Sequence, residues 1–158
     1  MNFRIGFGYD VHQLKAGYDL VVGGIKIPNQ KGSVGHSDAD VLIHAICDAL
    51  LGAADMRDIG HHFPDTDPLY RGIDSKILLE KVVALIREEG YEVGNIDSTI
   101  CLQRPKLKLY IDQMKEVLAS VLSIKKNQIS VKATTTEKLG FTGREEGISA
   151  YAVVLIHK

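Results

Sequence analysis

The sequence feature that most constrains the fold is a helical period that starts near Asp38. From there, apolar residues recur at spacings of three and four, at Val41, Leu42, Ala45, Ile46, Ala49 and Leu50. This spacing indicates an amphipathic α-helix with one apolar face. Ser37 or Asp38 is suited to be its N-cap, and Gly52 lies near its expected end.

The segments around this helix alternate between strand-like and helix-like patterns. Strands are predicted over residues 3–12, 20–28 (a short strand or hairpin), 93–103, 128–137 and 147–158. Further helices are predicted over residues 75–89 and from Pro105 to about Leu122, and loops over residues 55–74 and 138–147. This order predicts a single α+β domain, residues 1–158, built as a two-layer sandwich in which helices cover one face of a four-stranded mixed sheet. Because SAYAVVLI in the last strand is apolar on both sides, the open face is predicted to pack against other copies of the chain.

The composition narrows the class of partner. The net charge of -1 argues against a nucleic-acid partner but leaves room for a small anionic ligand. No apolar run approaches the roughly 20 residues that cross a bilayer, and MNFRIGFGYDVH lacks the pattern of a signal peptide. We therefore expect a cytoplasmic protein with no membrane partner. Cys47 and Cys101 lie in apolar surroundings and are expected to be buried thiols.

Asp10 and His12 form a D-x-H pair in the first predicted strand. Side chains two residues apart in an extended segment point to the same side, so both can reach one ligand. His44 lies on the predicted helix, where Asp40 and Asp48 share its face and are candidates to orient its imidazole. Two histidines and a carboxylate would leave the fourth position of a tetrahedral zinc ion open for catalysis. The spacing alone is equally compatible with the commoner case, a hydrogen-bonded structural histidine.

Three further segments carry polar groups that suit phosphates or metals. GHSDAD, residues 35–40, can bind an anion at the start of the helix or can be an ordinary N-cap. DIGHHFPDTD, residues 58–67, can bind sugar hydroxyls or a metal, or can be a solvated loop held by Asx turns. KATTTEKLGFTGR, residues 132–144, offers hydroxyls to a phosphate and Glu137 to magnesium, although β-propensity alone also produces threonine clusters.

The chain resembles the 2-C-methyl-D-erythritol 2,4-cyclodiphosphate synthases of the non-mevalonate isoprenoid pathway. The resemblance runs nearly end to end and rests on GYDVH, HSDADVLIHAICDALLGA, DIG, FPDTDP, GNIDSTI and above all VKATTTEKLGFTGREEGI. It implies a phosphorus–oxygen lyase that converts 4-diphosphocytidyl-2-C-methyl-D-erythritol 2-phosphate to the cyclic diphosphate and CMP. It also implies a homotrimer with active sites at subunit interfaces, zinc in each site, and magnesium or manganese on the diphosphate.

The resemblance assigns roles to individual residues. It implies zinc ligands at Asp10, His12 and His44, a magnesium or manganese ligand at Glu137, and catalytic support from His36 and Thr135. The implied substrate-binding residues are Asp10, His12, His36, Ser37, Asp58, Gly60, Phe63, Pro64, Asp65, Thr66, Asp67, Leu102, Lys106, Lys108, Ala133, Thr134, Thr135, Thr136, Glu137, Phe141 and Arg144. Residues 102–108 and 133–135 correspond to the cytosine pocket, Asp58 and Gly60 match positions near the ribose, and Phe141 and Arg144 match residues near the active site and the trimer axis. CLQRPKLKL departs from the commoner family pattern, and the His61–His62 pair has no assigned role.

Two other functions stay open at this point. A zinc phosphohydrolase would direct a metal-bound hydroxide at a nucleotide-linked phosphate ester. A trimeric nucleotide- or isoprenoid-phosphate-binding protein would hold structural zinc through a fourth protein ligand, and none is evident beside Asp10 and His12. In the synthase the attacking phosphate belongs to the substrate itself, so no protein nucleophile is needed. The sequence accordingly carries no G-x-S-x-G motif.

Overall fold

A five-stranded mixed sheet forms the frame of the computed structural model, which describes residues 2–158. The strands are β1 (Phe3–Ala16), β2 (Leu20–Val22), β3 (Ile25–Ile27), β4 (Lys31–Val34), β5 (Glu92–Cys101), β6 (Ile129–Thr134) and β7 (Gly147–His157). The helices are α1 (Val41–Ala53), α2 (Ile59–His62), α3 (Ser75–Glu88), α4 (Ile111–Leu122) and α5 (Gly140–Gly143), and short 3-10 turns cover Pro68–Tyr70 and Lys126–Gln128. The strand order is β4-β1-β7-β5-β6, with β5 and β6 parallel and the other neighbours antiparallel. The predicted α+β class and mixed sheet are confirmed.

The predicted count of four strands in this sheet is wrong. Residues 20–28 fold back on themselves as the β2–β3 hairpin, because Gly23 and Gly24 adopt positive φ values of 62° and 78° in the turn. The fifth strand is β4, which pairs with the end of β1 from Gln13 to Ala16. β1 offers this edge because it continues well beyond His12, where the sequence pattern predicted its end.

Two glycines let α1 lie directly on β1. A Cβ atom on Gly6 would stand 1.8 Å from the carbonyl oxygen of Ala49, and one on Gly8 would stand 1.9 Å from that of Ala45. No side chain fits there, so the helix backbone rests on the strand backbone. Because side chains alternate along a strand, the even-numbered residues that follow, Asp10 among them, face the same helix. This close contact brings the D-x-H pair to α1.

The remaining helices complete the layer on this inner face. α4 packs on β6, and α3 lies against α1 and α4. α1 begins at Val41 with Asp40 as its N-cap, later than predicted, because the Asp40 carboxylate accepts a hydrogen bond from Ile43 N. α4 begins at Ile111 rather than at Pro105, and residues 102–110 stay irregular. No helix within residues 2–158 combines the length and apolar character needed to span a bilayer.

The outer face of the sheet is apolar and exposed. Phe7 on β1 is 63% exposed, and its cross-strand partner Val153 on β7 is 44% exposed. Two residues further along β1, Tyr9 pairs with Tyr151 of β7, and the centroids of their rings are 5.0 Å apart. Cys101 on β5 is only partly buried, which corrects the expectation for that thiol, whereas Cys47 is buried as expected.

Candidate active site

Three metal-ligating side chains converge where β1 meets α1. The Oδ2 atom of Asp10 lies 2.8 Å from His12 Nε2 and 3.1 Å from His44 Nδ1, and the two imidazole nitrogens are 3.1 Å apart. Tetrahedral bonds of about 2.0–2.1 Å would separate ligand atoms by about 3.3 Å, so this triangle fits one face of a zinc tetrahedron. Within residues 2–158 it is the one group of three such side chains found close enough to share a metal. We call it the metal triangle.

Hydrogen bonds behind the ligands orient the two imidazoles. His12 Nδ1 lies 3.0 Å from the Val34 carbonyl oxygen, which can only accept. Nδ1 therefore carries the proton, and Nε2 turns its lone pair toward the metal triangle. On the second ring, His44 Nε2 faces Ser75 Oγ at 2.9 Å and Ser37 Oγ at 3.1 Å, on the side away from Asp10.

The acids predicted to orient His44 make other contacts. The Asp48 carboxylate accepts a hydrogen bond from Ile59 N at 2.7 Å and so holds the start of α2. Asp40 is fully buried and accepts hydrogen bonds of 2.6–3.0 Å from the backbone amides of Gly23, Gly24 and Ile43. Helical spacing placed both acids on the right face of α1, but serines from other segments occupy the space behind the imidazole.

Charge within the metal triangle favours a cation. Burial alone would raise the pKa of Asp10, but hydrogen bonds from the protonated forms of His12 and His44, together with the charges of those rings, outweigh it and lower the pKa to about 2. Burial would likewise lower the pKa of His12, whereas its hydrogen bond to Asp10 raises that pKa above the ordinary value. Asp10 is thus ionised at neutral pH and ready to act as a ligand.

A cavity of about 410 Å³ opens beside the metal triangle. It brings together six residues that the resemblance predicted at the substrate: His12, His36, Ser37, Gly60, Phe63 and Asp65. The lining also includes Ile59, Tyr70, Ile73 and Leu78, which were not predicted at the substrate. Leu78 belongs to the predicted apolar face of α3, but no periodic pattern marks the other three.

Two aspartates of the predicted substrate loop hold the loop itself. Asp58 accepts a hydrogen bond from His61 N at 2.9 Å, and Asp67 accepts one from Leu69 N at 2.9 Å. These are the contacts expected of Asx turns and caps. The Asp67 carbonyl also lies 3.1 Å from His36 Nε2, so the loop contacts the cavity wall through that ring.

Four other loop residues lie outside the cavity lining. His62 Nε2 lies 2.8 Å from the Met56 carbonyl oxygen, and the His61 ring packs edge-on against His62. The pair therefore contributes to the packing of the loop and does not join the metal triangle. Pro64 and Thr66, predicted at the substrate, are not among the residues that line the cavity.

A second cavity, of about 380 Å³, lies where the irregular segment after β5 meets the end of β6. Eight of its lining residues fall within residues 102–108 and 133–135, which the resemblance assigned to the cytosine pocket: Leu102, Pro105, Lys106, Leu107, Lys108, Ala133, Thr134 and Thr135. Ile111 completes the lining. The cavity exists because α4 starts only at Ile111, which leaves residues 102–110 free to form a wall.

The segment Thr134–Glu146, here called the threonine loop, is mostly exposed. Glu137, predicted to bind magnesium or manganese, is exposed with φ of 54° and stands outside the metal triangle. The Thr136 hydroxyl donates to the Leu139 carbonyl at 2.7 Å. Phe141 is 40% exposed, and the exposed Arg144 guanidinium pairs with Glu146 through contacts of 3.0 and 3.1 Å. Neither Phe141 nor Arg144 is among the residues that line the two cavities.

A match to a known family accounts for this arrangement. The model of the YgbB family covers residues 3–157. The chain belongs to the YgbB family. A curated relative from Bacteroides thetaiotaomicron, named 2-C-methyl-D-erythritol 2,4-cyclodiphosphate synthase, is 66% identical over 158 residues, which are 100% of this chain and 99% of the relative. The resemblance inferred from the motifs is confirmed.

Solved structures share the fold of this YgbB chain. The bifunctional IspDF from Campylobacter jejuni superimposes with a TM-score of 0.95 at 41% identity, covering 98% of this chain and 42% of that longer one. IspF from Plasmodium falciparum, solved as a complex with CDP, superimposes with a TM-score of 0.86 at 37% identity, covering 98% and 96% of the two chains.

Proposed function

We propose that this YgbB protein is an enzyme that converts 4-diphosphocytidyl-2-C-methyl-D-erythritol 2-phosphate to 2-C-methyl-D-erythritol 2,4-cyclodiphosphate and CMP. The observation that carries the proposal is the metal triangle of Asp10, His12 and His44, which opens on a cavity suited to a phosphate ester. It occurs in a chain that is 66% identical to a named synthase over its whole length. Residues 1–158 would act as a single domain.

The residues of the metal triangle fit zinc. Two neutral imidazoles and one carboxylate are common zinc ligands, and three of them leave one position open. Glu137 offers the carboxylate oxygen that magnesium or manganese prefers. Bound at these places, the two cations would supply Lewis-acid polarisation of phosphoryl oxygens and neutralise the diphosphate charge. The protein would supply the ligands, their orientation and the shape of the cavity.

The reaction itself needs positioning more than proton transfer. An oxygen of the 2-phosphate forms a bond to the diphosphate phosphorus that is attached to methylerythritol. The bond from that phosphorus to the oxygen that bridges the two diphosphate phosphorus atoms breaks. CMP leaves with that oxygen, so the atoms balance without water. The attacking group is already anionic and on the same molecule, so no protein nucleophile is required.

Side chains around the first cavity would hold the methylerythritol phosphate. Ser37 would donate its hydroxyl to a phosphate oxygen. His36 already donates from Nε2 to the Asp67 carbonyl, so it would donate to phosphate only with a second proton on Nδ1. Thr135 at the mouth of the second cavity would support the transition state through its hydroxyl. Asp58, Pro64, Thr66, Asp67 and Gly60 would shape the loop around the substrate.

The second cavity would take the cytidine. Its apolar lining and the amide groups of residues 102–108 suit a flat base with polar edges. A structure with the same fold was solved as a complex with CDP, which supports a nucleotide in the family. Thr134, Thr136 and Glu137 would face the diphosphate, between the base and the second cation.

We further propose a cytoplasmic homotrimer. The exposed face of β1 and β7 carries Phe7 and Val153 with neighbours of similar character, and burial of such a patch favours self-association. Assembly would also bring the threonine loop of one copy, with Phe141 and Arg144, toward another copy. The two free thiols, Cys47 and Cys101, suit a reducing compartment.

Product analysis tests the proposed function. The purified protein is incubated with the cytidylyl substrate, zinc and magnesium in ¹⁸O-labelled water, and the products are followed by phosphorus NMR. We expect the cyclic diphosphate and CMP without ¹⁸O. A zinc phosphohydrolase would instead release linear products that carry ¹⁸O, and a binding protein would return the substrate unchanged.

A further inference from the structure

A chain of hydrogen bonds extends from His44 into the protein. Its Nε2 atom lies 2.9 Å from Ser75 Oγ, and Ser75 Oγ makes a short contact with Asp38 Oδ1. The second oxygen of Asp38 accepts a hydrogen bond from Ser75 N at 3.0 Å. Ser75 is fully buried, so water does not compete for its hydroxyl. We call Asp38 and Ser75 the serine relay.

The chemistry of these groups fixes the direction of each hydrogen bond. A carboxylate can only accept, so the single hydroxyl proton of Ser75 goes to Asp38. Ser75 Oγ then accepts from His44 Nε2–H. In the neutral ring with its proton on Nε2, Nδ1 of His44 carries the bare lone pair, and this atom lies 3.1 Å from Asp10 Oδ2 in the metal triangle. The relay therefore selects the tautomer that can bind a metal.

Ser37 is the other hydroxyl near this ring, and its role differs. Ser37 Oγ lies 3.1 Å from His44 Nε2 but accepts a hydrogen bond from Ala39 N and has no carboxylate behind it. Its proton is free to point elsewhere, as its proposed contact with phosphate requires. Ser75 alone is locked as an acceptor toward His44.

The serine relay is also attached to the wall of the first cavity. Asp38 N donates to the Ile73 carbonyl at 3.0 Å, and Gly72 N donates to the His36 carbonyl at 2.7 Å. These bonds join residues 36–38 to residues 72–75, where the loop ends and α3 begins. The segment that orients the metal ligand is thus the one that fixes the loop beside the substrate.

We infer that Ser75 and Asp38 are positioning residues for the metal, a role that rests on the proposed zinc site but is not itself part of the ligand set. Residues of this kind behind a metal-bound histidine alter metal affinity or activity by about 10–100-fold. Ser75→Ala should therefore weaken zinc binding by about that factor while the protein stays folded.

The decisive experiment measures zinc affinity directly, by competition of the purified protein with a chromophoric chelator. Ser98→Ala is the matched control: Ser98 is also buried, donates its hydroxyl to the Ser130 carbonyl at 2.9 Å, and lies on β5 away from the metal triangle. Both variants should lose some thermal stability, but only Ser75→Ala should lose zinc affinity. Its Co²⁺-substituted form should also show an altered visible absorption spectrum, and saturating zinc should restore most of its kcat.

Zinc affinity of Ser75→Ala within twofold of the parent protein would overturn the inference. If Ser75→Ala does not fold, Asp38→Asn decides instead, since it keeps the side-chain shape but removes the charge that anchors the hydroxyl. An unchanged zinc affinity in Asp38→Asn then rejects the relay. Failure of the parent protein to cyclise its substrate would reject the proposed function and leave the affinity result standing, so the two failures are distinguishable.

Discussion

The metal triangle and the threonine loop differ in how much of their geometry the single chain supplies. His44 in the metal triangle has only 13% of its side chain exposed, and hydrogen bonds to Val34 on β4 and Ser75 on α3 hold the two imidazoles. The threonine loop is exposed, and Glu137, Lys138 and Glu145 hold positive φ values of 54°, 64° and 57°. Such backbone costs roughly 1 kcal/mol or more per residue outside glycine. The single chain holds the first region in place, whereas under the proposed function substrate, cation or another copy would complete the second.

The largest effect is expected from His44→Ala, which removes one corner of the metal triangle. Loss of a ligand should abolish stoichiometric zinc binding and lower cyclisation by about a thousandfold or more, since metal stabilisation of phosphoryl transfer amounts to several kcal/mol. Metal analysis and phosphorus NMR of the same preparation measure both. A folded variant that lacks zinc but retains full activity would contradict the role of the metal triangle.

Phe7→Asp tests whether the second region depends on assembly. A carboxylate on the open sheet face should prevent packing of copies and leave a monomer of 17.4 kDa in light scattering. We expect zinc affinity to be retained but cyclisation to fall by about a hundredfold, because a misplaced threonine loop loses alignment. Ile77→Asp is the control, an exposed apolar residue on α3. A fully active monomer would show that one chain suffices.

Glu137→Gln separates the two cation sites. The amide keeps the size of the side chain but removes its charge, so we expect the magnesium concentration needed for half-maximal activity to rise about 10–100-fold. Zinc affinity, measured by chelator competition, should stay at the parent value. A parallel loss of zinc would mean that the two regions form one site.

The smallest effect concerns Asp40, which supports the metal triangle from behind. In Asp40→Asn the side-chain NH2 group would face the backbone N–H of Gly24, so two donors would meet without an acceptor. This should lower the free energy of unfolding by about 1–3 kcal/mol at pH 7. Burial raises the pKa of Asp40 from 3.8 to about 6, with the nearby Asp38 charge acting in the same direction. The folded state therefore holds this proton more tightly than the unfolded state does, so the stability that it contributes is lost as pH rises from about 4 to 6.

Denaturant titrations of both proteins across that range measure this pH dependence. The difference between the parent protein and Asp40→Asn isolates Asp40, because other titrating groups contribute equally to both. We expect the parent to lose stability relative to the variant as pH rises. An identical slope in the two proteins would mean that the pKa of Asp40 is not raised.

Two periods in the sequence made the metal triangle a candidate, and the resemblance to the synthases supplied the assignment of its residues as ligands. The period of two in β1 puts Asp10 and His12 on one side, and the helical period of α1 identifies the face that carries His44. The partners of His44 could not be predicted, since Ser75 lies 31 residues away along the chain and reaches the ring only through the fold. Helical spacing indicated Asp40 and Asp48 instead, but those carboxylates accept hydrogen bonds from backbone amides.

The strand count was wrong because β4 was not predicted. Residues 20–28 form the hairpin that was one of the two predicted alternatives, closed by the Gly23–Gly24 turn. The short β4 segment has no strong pattern of its own and joins the sheet only because β1 extends to meet it. Local propensity reports the conformation of a segment, and the choice of pairing partner depends on residues elsewhere in the chain.

Because side chains alternate along β1, the predicted metal ligands and the open apolar surface lie on opposite sides of the same strand. Its even-numbered positions carry the metal ligands Asp10 and His12, and its odd-numbered positions, Phe7 among them, carry the open apolar surface. Deleting one residue between Phe7 and Asp10 would turn the side chains before or after the deletion to the opposite face of the sheet, depending on which part keeps its register with β7. Substitutions can therefore change either side of β1 separately, whereas an insertion or deletion between these positions would disturb the proposed metal binding or the proposed self-association.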